Sequence, residues 1–472
     1  MVEAGERVHV IGIAGSGAAG ASVLLHHAGA LVDGCDADSP SPYTPPLDAA
    51  GISHVRGHDP AHLEAVDRVA ISPALRAVRN HAELEAAAER GIPVVPWQAL
   101  LGELMVAPGR IGLGVTGTHG KSTTTALLGH LLVAAGMDPS VEVGAVVAAW
   151  GASVRPGGGA PFLVEADEFA DNFLNYHPAG AIVTNVEMDH PDYFADAGAV
   201  MDSFERFVRG MSTHPALGGR LLIIGADDPG AGELADRLRG WDGRIVRYGR
   251  GGEIEPSDIV LARDGTSFRL FDRRWQTSLA GEHNVLNATA ALAMAGALGA
   301  DLEALGDGLR TFAGAGRRME LIVDTPRVTI YDDYGHHPTE VRAALAAARQ
   351  RVGPDRRLWA VFEPHMYSRT ALLMDAFAAA FTEANEVVVA DIFASRDSPD
   401  AMAATSAEEL ADAIERTSAV PAIATGSVEA TTAYVADHLA TGDAVLVMGA
   451  GKSYRIARGL ADRLAGATAG SG

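Results

Sequence analysis

The strongest constraint on this chain is its alternation of short apolar runs with helical patterns. Candidate strands are Val8–Ile13, Ala30–Cys35, Arg68–Ser72, Ile111–Thr116, Phe162–Ala166, Ala181–Asn185 and Leu221–Ile224. Later candidates are Arg327–Tyr331, Leu358–Phe362, Val387–Asp391 and Ala444–Met448. They are rich in Val and Ile and apolar on both faces, as strands of buried parallel sheets are. Between them, Thr123–Ala135, Glu340–Val352 and Ser368–Ala384 carry apolar residues at helical spacing. This order predicts an α/β fold built on mostly parallel sheets. At about 150 residues per domain, 472 residues suggest roughly three domains. Gly/Pro punctuation at Ala107–Arg110 and Gly314–Gly316 divides the chain into 1–107, 108–316 and 317–472. The Gly-rich stretch Arg155–Ala160 reads as a surface loop, and Ala465–Gly472 as a frayed tail.

Charge and composition exclude several classes. Lys+Arg total 37 against 60 Asp+Glu, a formal charge of -23. No basic face is expected for nucleic acid or an anionic membrane. Lone Cys35 excludes a disulfide scaffold and a cysteine-based zinc site, and fits a reducing compartment. The charged N-terminus runs straight into a strand, with no cleavable signal. The longest uncharged run, Ser122–Met137, is too short and Thr-rich to span a bilayer. A cytoplasmic globular protein without membrane insertion is expected. Only Lys121 and Lys452 are lysines, so nearly all basic residues are arginines.

Strand Ile111–Thr116 runs into Gly117-Thr118-His119-Gly120-Lys121-Ser122-Thr123 and then a helix. Glycines let the backbone curl so that its N–H groups point inward, and the helix adds its positive dipole end. Lys121 can reach terminal phosphates, and the Ser122 hydroxyl can ligate Mg²⁺. Gly114 lies six residues before Gly120, so the Walker pattern fits only loosely. Further hard oxygen ligands stand after the next two strands, in Glu165-Ala166-Asp167-Glu168 and Thr184-Asn185-Val186-Glu187-Met188-Asp189-His190.

Near the N-terminus, Gly15-Ser16-Gly17-Ala18-Ala19-Gly20 is a literal dinucleotide fingerprint, and Asp36 follows at the next strand's end. Physically the motif says only that a pyrophosphate approaches a helix N-terminus. NAD carries one, and so does UDP.

Taken together, the motifs resemble the Mur ligases, ATP-dependent amide-bond-forming enzymes of peptidoglycan precursor synthesis. The resemblance rests on the Lys121 loop, Glu165–Glu168, Thr184–His190 and Gly281-Glu282-His283-Asn284-Val285-Leu286-Asn287. It continues through Arg317-Arg318-Met319-Glu320, Asp332–Glu340 and Pro364-His365-Met366-Tyr367-Ser368-Arg369-Thr370. It implies a Rossmann-like UDP-sugar domain, a central P-loop ATPase-like domain and a Rossmann-like third domain that holds the amino acid and closes over the nucleotide. Glu165 and His190 would ligate magnesium (or manganese), with Ser122 completing the set. Asn284 and Asn287 would bind the adenine region, Asp333 the ribose, and Arg318 the phosphates. Gly15, Ser16, Gly17, Asp36, Ser72 and Asn185 would serve the UDP-sugar; Ser72-Pro73-Ala74 resembles the family's Ser-Ser-Ala. Tyr334, His336 and Arg369 would surround the amino acid, Arg369 pairing with its carboxylate as a planar fork.

Some positions depart from the family. Ser122 stands where Thr is commoner, and Met366 where some relatives carry a second arginine. Phe169-Ala170-Asp171-Asn172 replaces the common Ser-Asp-Ala-Ser. Gly449-Ala450-Gly451-Lys452-Ser453 differs from Gly-Ala-Gly-Asp and reads as a structural turn rather than a second phosphate loop. Some members use a modified lysine as a metal-bridging group; no lysine lies between Lys121 and Lys452, which fits the branch that adds L-alanine. For that branch the resemblance implies an acyl-phosphate of UDP-N-acetylmuramate attacked by the amine of L-alanine, in a monomer or homodimer. Lys121, Glu165, His190, His336 and Arg369 would carry the chemistry, with His336 as base or as positioning group. Rival readings are the family's tripeptide-recycling ligase, an NAD-dependent oxidoreductase and a nucleotide-gated binding protein. The short segment Phe169–Ala179 before the next strand disfavours the recycling ligase.

Overall fold

The computed structural model describes residues 1–41, 43–72, 75 and 80–469, with side chains to Ala465. Pro73 and Ala74 of the Ser72 motif lie outside the described residues. The chain divides into two compact units: Met1–Glu187, Ala197–Pro256 and Leu286–Ala313 form one, and Met188–Asp196, Ser257–Val285 and Gly314–Gly472 the other.

The first unit carries two sheets. One is five-stranded: β1 (Arg7–Ile11), β2 (Leu31–Asp36), β3 (Ser53–Arg56), β4 (Arg68–Ile71) and β5 (Val94–Pro96). Its order is β3-β2-β1-β4-β5, with every pairing parallel. β1 stops at Ile11, two residues before the expected Ile13, because Gly12 turns the chain at φ +84°. The turn is held by Gly12 and Ile13 N–H groups donating to the Cys35 carbonyl at 2.8 and 3.2 Å. Helix Ser16–His27 follows directly.

The second sheet comprises β6 (Ile111–Thr116), β7 (Ser140–Val147), β8 (Ala152–Arg155), β9 (Pro161–Glu165), β10 (Gly180–Val183), β11 (Leu221–Gly225) and β12 (Arg244–Tyr248). Its order is β12-β11-β10-β6-β9-β7-β8, parallel except for the β7–β8 pair. Wholly buried β6 runs between β10 and β9, so the loop after it emerges in mid-sheet. The stretch expected as a loop begins at the last residue of β8, and 156–160 make the β8–β9 connection. It presses on its neighbour: a Cβ at Gly159 would meet the Met137 carbonyl oxygen at 1.9 Å.

The other unit holds the antiparallel ribbon β13 (Ser257–Ala262), β14 (Gly265–Leu270) and β15 (Arg273–Thr277). It also holds β16 (Glu320–Asp324), β17 (Val328–Asp333), β18 (Leu358–Phe362), β19 (Glu386–Ala390), β20 (Ala422–Gly426) and β21 (Asp443–Met448). These six form a sheet ordered β16-β17-β21-β18-β19-β20, parallel except at β16. One apolar layer contains Leu345, Phe362, Phe381 and Leu410, and another contains Trp359, Val445, Ile456 and Leu460.

Two local expectations change. The pattern over Ser368–Ala384 breaks into helices Tyr367–Leu372 and Met374–Ala378, because Leu373 leaves helical geometry at ψ 19°. Helix Tyr454–Ala469 continues past Ala465, anchored upstream by buried Ile456, Ala457 and Leu460; Gly470–Gly472 of the expected tail lie outside the described residues.

Gly17 illustrates how packing constrains the N-terminal fingerprint. A Cβ there would sit 2.4 Å from the Trp97 ring. We expect Gly17→Ala to cost about 1–3 kcal/mol, as overpacking does. Trp97→Leu should lose stability alone yet tolerate Gly17→Ala, so chemical denaturation of the double-mutant cycle should show clear coupling.

Candidate active site

The loop after β6 takes its shape from its neighbours. Gly117 and Gly120 adopt φ +130° and +82°, which side-chain-bearing residues rarely do. A Cβ on Gly117 would lie 2.0 Å from Thr184 Oγ1, and one on Gly120 2.8 Å from Asn287 Oδ1. The His119 peptide is clamped from β10's end. Its N–H donates to Asn185 Oδ1 at 2.8 Å, and its carbonyl accepts from Thr184 Oγ1 at 2.6 Å and Asn185 Nδ2 at 3.1 Å. Thr118 joins the same clamp, its hydroxyl accepting the Glu187 N–H at 2.8 Å. Asn185, expected at the sugar nucleotide, here holds the phosphate loop. Buried Thr123 stands in the first turn of helix Lys121–Ala134.

Lys121 curls back over the loop. Its ammonium donates to the Gly117 and Thr118 carbonyls at 2.7 and 3.2 Å and to Glu168 Oε2 at 2.7 Å. Burial opposes its charge, but Glu168 and Asp167 outweigh that and raise its pKa further. Burial pushes the Glu168 carboxyl up to about 8 against the pull of Lys121. We take the pair as an ammonium–carboxylate contact in a site short of water, with Lys121 charged throughout.

Next to it, Ser122 Oγ donates to Glu165 Oε1 at 2.8 Å, and Glu165 Oε2 accepts the Gly144 N–H at 2.7 Å. A hydroxyl and a carboxylate oxygen side by side at a phosphate loop are the hard donors that a magnesium–triphosphate complex requires. Sequence reasoning missed Glu142 on β7, a buried carboxyl close to this group. Burial, then Glu165 and Asp167, push its pKa well up and keep it neutral. Its one sequence signal is a lone acid inside the apolar run Val141–Val147.

At the N-terminal glycines, Gly15 caps helix Ser16–His27. The buried Ser16 hydroxyl has no hydrogen-bond partner among the described residues. Asp36 closes the turn instead of standing clear: Oδ2 accepts the Ala14 N–H at 3.1 Å and Oδ1 the Asp38 N–H at 3.0 Å. Ser72 follows β4, with its N–H on the Ile11 carbonyl at 3.3 Å.

The second unit gathers the remaining residues. Asn284 donates to the Ala280 carbonyl at 2.7 Å at the start of helix Glu282–Ala297. Buried Asp333 accepts the Met319 and Gly335 N–H groups at 2.8 and 2.7 Å, and burial raises its pKa. Arg317 and Arg318 each lie 5.0 Å from the Tyr334 ring centre. His336 donates its backbone N–H to Glu340 at 2.9 Å, and its Nδ1 lies 3.1 Å from the Tyr334 carbonyl. Burial lowers its pKa to about 4 even with Glu340 alongside.

Arg369 differs most from its expected pose. Only 1% exposed, its guanidinium donates through Nε to Asp189 Oδ1 at 2.7 Å and contacts His365 Nδ1 at 3.1 Å. His190 and Arg369 hold the Asp189 carboxyl far below its ordinary range, although burial opposes them. His190 itself has φ +53°, a strained conformation of the kind that clusters at functional sites. Arg396, not singled out by sequence, is the more exposed guanidinium nearby, 2.9 Å from Asp192 and 3.9 Å from Met366 Sδ. The Gly449–Ser453 turn wraps a carboxylate: Ser453 N–H donates to Glu363 Oε2 at 2.7 Å. An acid thus stands where a second phosphate loop would place phosphate.

A glycine loop between parallel strands, with lysine, hydroxyl and carboxylate aligned at a helix start, defines a protein that handles nucleoside phosphates. Three family models match in order: "Mur ligase family, catalytic domain" over 7–107, "Mur ligase middle domain" over 162–295 and "Mur ligase, glutamate ligase domain" over 317–451. A UDP-N-acetylmuramate–L-alanine ligase of Mycolicibacterium vanbaalenii is 39% identical, covering 94% of each chain. One from Kineococcus radiotolerans is 42% identical over 84% of this chain and 83% of its own. The solved Thermotoga maritima UDP-N-acetylmuramate–alanine ligase shares the fold at TM-score 0.78 and 23% identity, covering 98% and 99%. A murein peptide ligase from Psychrobacter arcticus gives TM-score 0.68 at 26% identity, covering 97% and 98%. The chain belongs to the Mur ligase family.

The lowered His336 pKa makes a stability prediction. The folded state disfavours the imidazolium, so this contribution is complete above the unfolded value near 6.5 and falls away as pH drops toward 4. We expect the melting temperature to fall over that window and His336→Gln to flatten the fall. A slope unchanged in the variant would contradict it.

Proposed function

We propose that this chain joins L-alanine to the carboxylate of UDP-N-acetylmuramate, converting ATP to ADP and phosphate. The observation that carries this reading is the Lys121–Ser122–Glu165 arrangement at a phosphate loop. It sits in a chain about 40% identical, over most of its length, to ligases named for that reaction. The reading includes three domains, 1–107 for the UDP-sugar, 108–316 for ATP and 317–472 for the amino acid. No described helix is long and apolar enough to cross a membrane. We place the enzyme in the cytoplasm, as a monomer or homodimer.

The reaction runs in two steps. A carboxylate oxygen of the sugar attacks the γ-phosphorus and ADP leaves, giving an acyl-phosphate. The alanine nitrogen then attacks the acyl carbon, and phosphate departs carrying the former carboxylate oxygen; the amine proton goes to a base. The loop's contribution is positioning and charge stabilisation, which suffice for phosphoryl transfer. Loop N–H groups and the helix start face the phosphates, and Lys121 exchanges Glu168 for phosphate oxygens. Ser122, Glu165 and His190 would hold Mg²⁺, which would supply charge neutralisation at the triphosphate.

His336 is a positioning residue in this reading. A pKa near 4 makes it a weak base at neutral pH, since efficient bases lie near the working pH. Arg369 fixes Asp189, and through it the strained His190 peptide, whose N–H donates to Asp189 Oδ1 at 2.7 Å. Tyr334 with His336 lines the amino-acid position. Arg318, Asn284, Asn287 and Asp333 serve the nucleotide. The buried Ser16 hydroxyl, with Gly15, Gly17, Asp36 and Ser72, serves the UDP group.

Lys121→Ala should lower ADP release by about 10²–10³-fold or more while leaving UDP-N-acetylmuramate binding intact. Wild-type turnover in that variant would sink the assignment. ADP release measured across L-Ala, L-Ser, Gly and L-Ala-γ-D-Glu-diaminopimelate should be fastest with L-Ala. Preference for the tripeptide would favour the recycling ligase.

A further inference from the structure

Beside the five-stranded sheet lies a mostly buried group of metal-ligating side chains to which the proposed ligation assigns no role. His9 on β1, Cys35 on β2, His62 in the turn Pro60–Leu63 and Glu83 on helix Ala82–Arg90 converge on one point. One ligand atom from each lies within 4.8 Å of all the others. His9 Nε2 is 3.3 Å from Cys35 Sγ and 3.7 Å from Glu83 Oε1, and Cys35 Sγ is 3.1 Å from Glu83 Oε2. His62 Nδ1 stands 2.7 Å from Glu83 Oε1. Zinc bonds of about 2.0–2.3 Å in tetrahedral geometry separate ligand atoms by roughly 3.3–3.6 Å. The His9–Cys35 separation already lies in that range, the His9–Glu83 and Cys35–Glu83 separations lie within about 0.2 Å of it, and His62 would draw back from Glu83 to join a zinc shell.

The surroundings also resemble a metal site. Asp33 Oδ1 lies 2.5 Å from His9 Nδ1, which directs Nε2 inward, as outer-shell carboxylates do for metal-bound histidines. The Asp59 N–H donates to Glu83 Oε1 at 3.1 Å. His58 Nδ1 is 3.2 Å from Cys35 Sγ, and its ring packs edge-on against His81, with centroids 4.6 Å apart. His81 is 9% exposed, and neither ring nitrogen has a hydrogen-bond partner among the described residues.

Against the expectation that a lone cysteine leaves no cysteine-based zinc site, we propose that His9, Cys35, His62 and Glu83 bind one zinc ion as a structural site, with His58 and His81 closing its outer side. A thiolate with imidazoles and a carboxylate suits zinc better than magnesium or calcium. Binding would release the Cys35 thiol proton to solvent and form the sulfur–metal bond. The ion would tie two strands to the turn and helix packed on them. It would also fix Cys35, whose carbonyl holds the Gly12 turn ahead of the sugar-nucleotide glycines.

The test is metal analysis of the full-length chain without nucleotide or magnesium. Mass spectrometry should find about one zinc per chain. After chelation and reloading with Co²⁺, the protein should show a thiolate-to-cobalt charge-transfer band and intense tetrahedral bands. Cys35→Ser should lose the charge-transfer band, and the zinc-dependent rise in melting temperature should shrink. Folded wild-type protein that takes up neither zinc nor cobalt in stoichiometric amount would overturn the proposal. So would a charge-transfer band retained in Cys35→Ser. Should that variant not fold, the wild-type cobalt spectrum alone decides.

Discussion

The structure depends most on the clamp that Thr184 and Asn185 place on the His119 peptide. Parallel pairing of β6 with β10 ends at Thr116 opposite Val183, so the next residues of each strand face one another. The Thr184 hydroxyl and Asn185 amide then satisfy the loop's own backbone groups. Gly117 is obligatory because Thr184 fills the space where its Cβ would stand. Once the peptide is held, Gly120 can turn into the helix and Lys121 and Ser122 arrive at fixed positions. Loop shape is thus fixed before any nucleotide binds, which lowers the ordering cost of binding.

Electrostatics build on that frame. The Lys121 ammonium sits among Glu165, Asp167 and Glu168, and neutral Glu142 lies behind them. Such a concentration of carboxyl groups repels a bare triphosphate. It suits one arriving with a divalent cation, because metal charge inverts the local balance. In the second unit the same logic runs in reverse. Arg369 and His190 hold Asp189 ionised, while burial keeps His336 and His365 neutral. Fixed ions and neutral imidazoles side by side give a site whose charge varies little near neutral pH.

Much of this was legible in the sequence, for identifiable reasons. Strands such as Ile111–Thr116 and Ala444–Met448 announce themselves because both faces are buried. The ribbon β13–β15 escaped because Ser257–Ala262 is exposed along nearly its whole length and β15 carries charged residues such as Arg273 and Arg274. The phosphate loop and the carboxylates after the next strand follow from the local sequence, whereas the joining of Ser122 with Glu165 and the place of Asp333 came with the resemblance to the family. What residue type alone did not convey was which partner each side chain takes. Asp36 closes a turn, Asn185 clamps a loop and Arg369 pairs with Asp189, none of which their motifs specify. Counting one cysteine likewise hides the three imidazoles that the fold brings around it. Those pairings join residues far apart in sequence, and only the tertiary arrangement reveals them.

In the proposed reaction the phosphate loop directs phosphate to a carboxylate before the amide forms. It is tested most directly by following oxygen. UDP-N-acetylmuramate labelled with ¹⁸O in its carboxylate is turned over with ATP and L-alanine, and the released phosphate is analysed by mass spectrometry. An acyl-phosphate route leaves one labelled oxygen in each inorganic phosphate formed. Unlabelled phosphate, with amide formed at the normal rate, would contradict it.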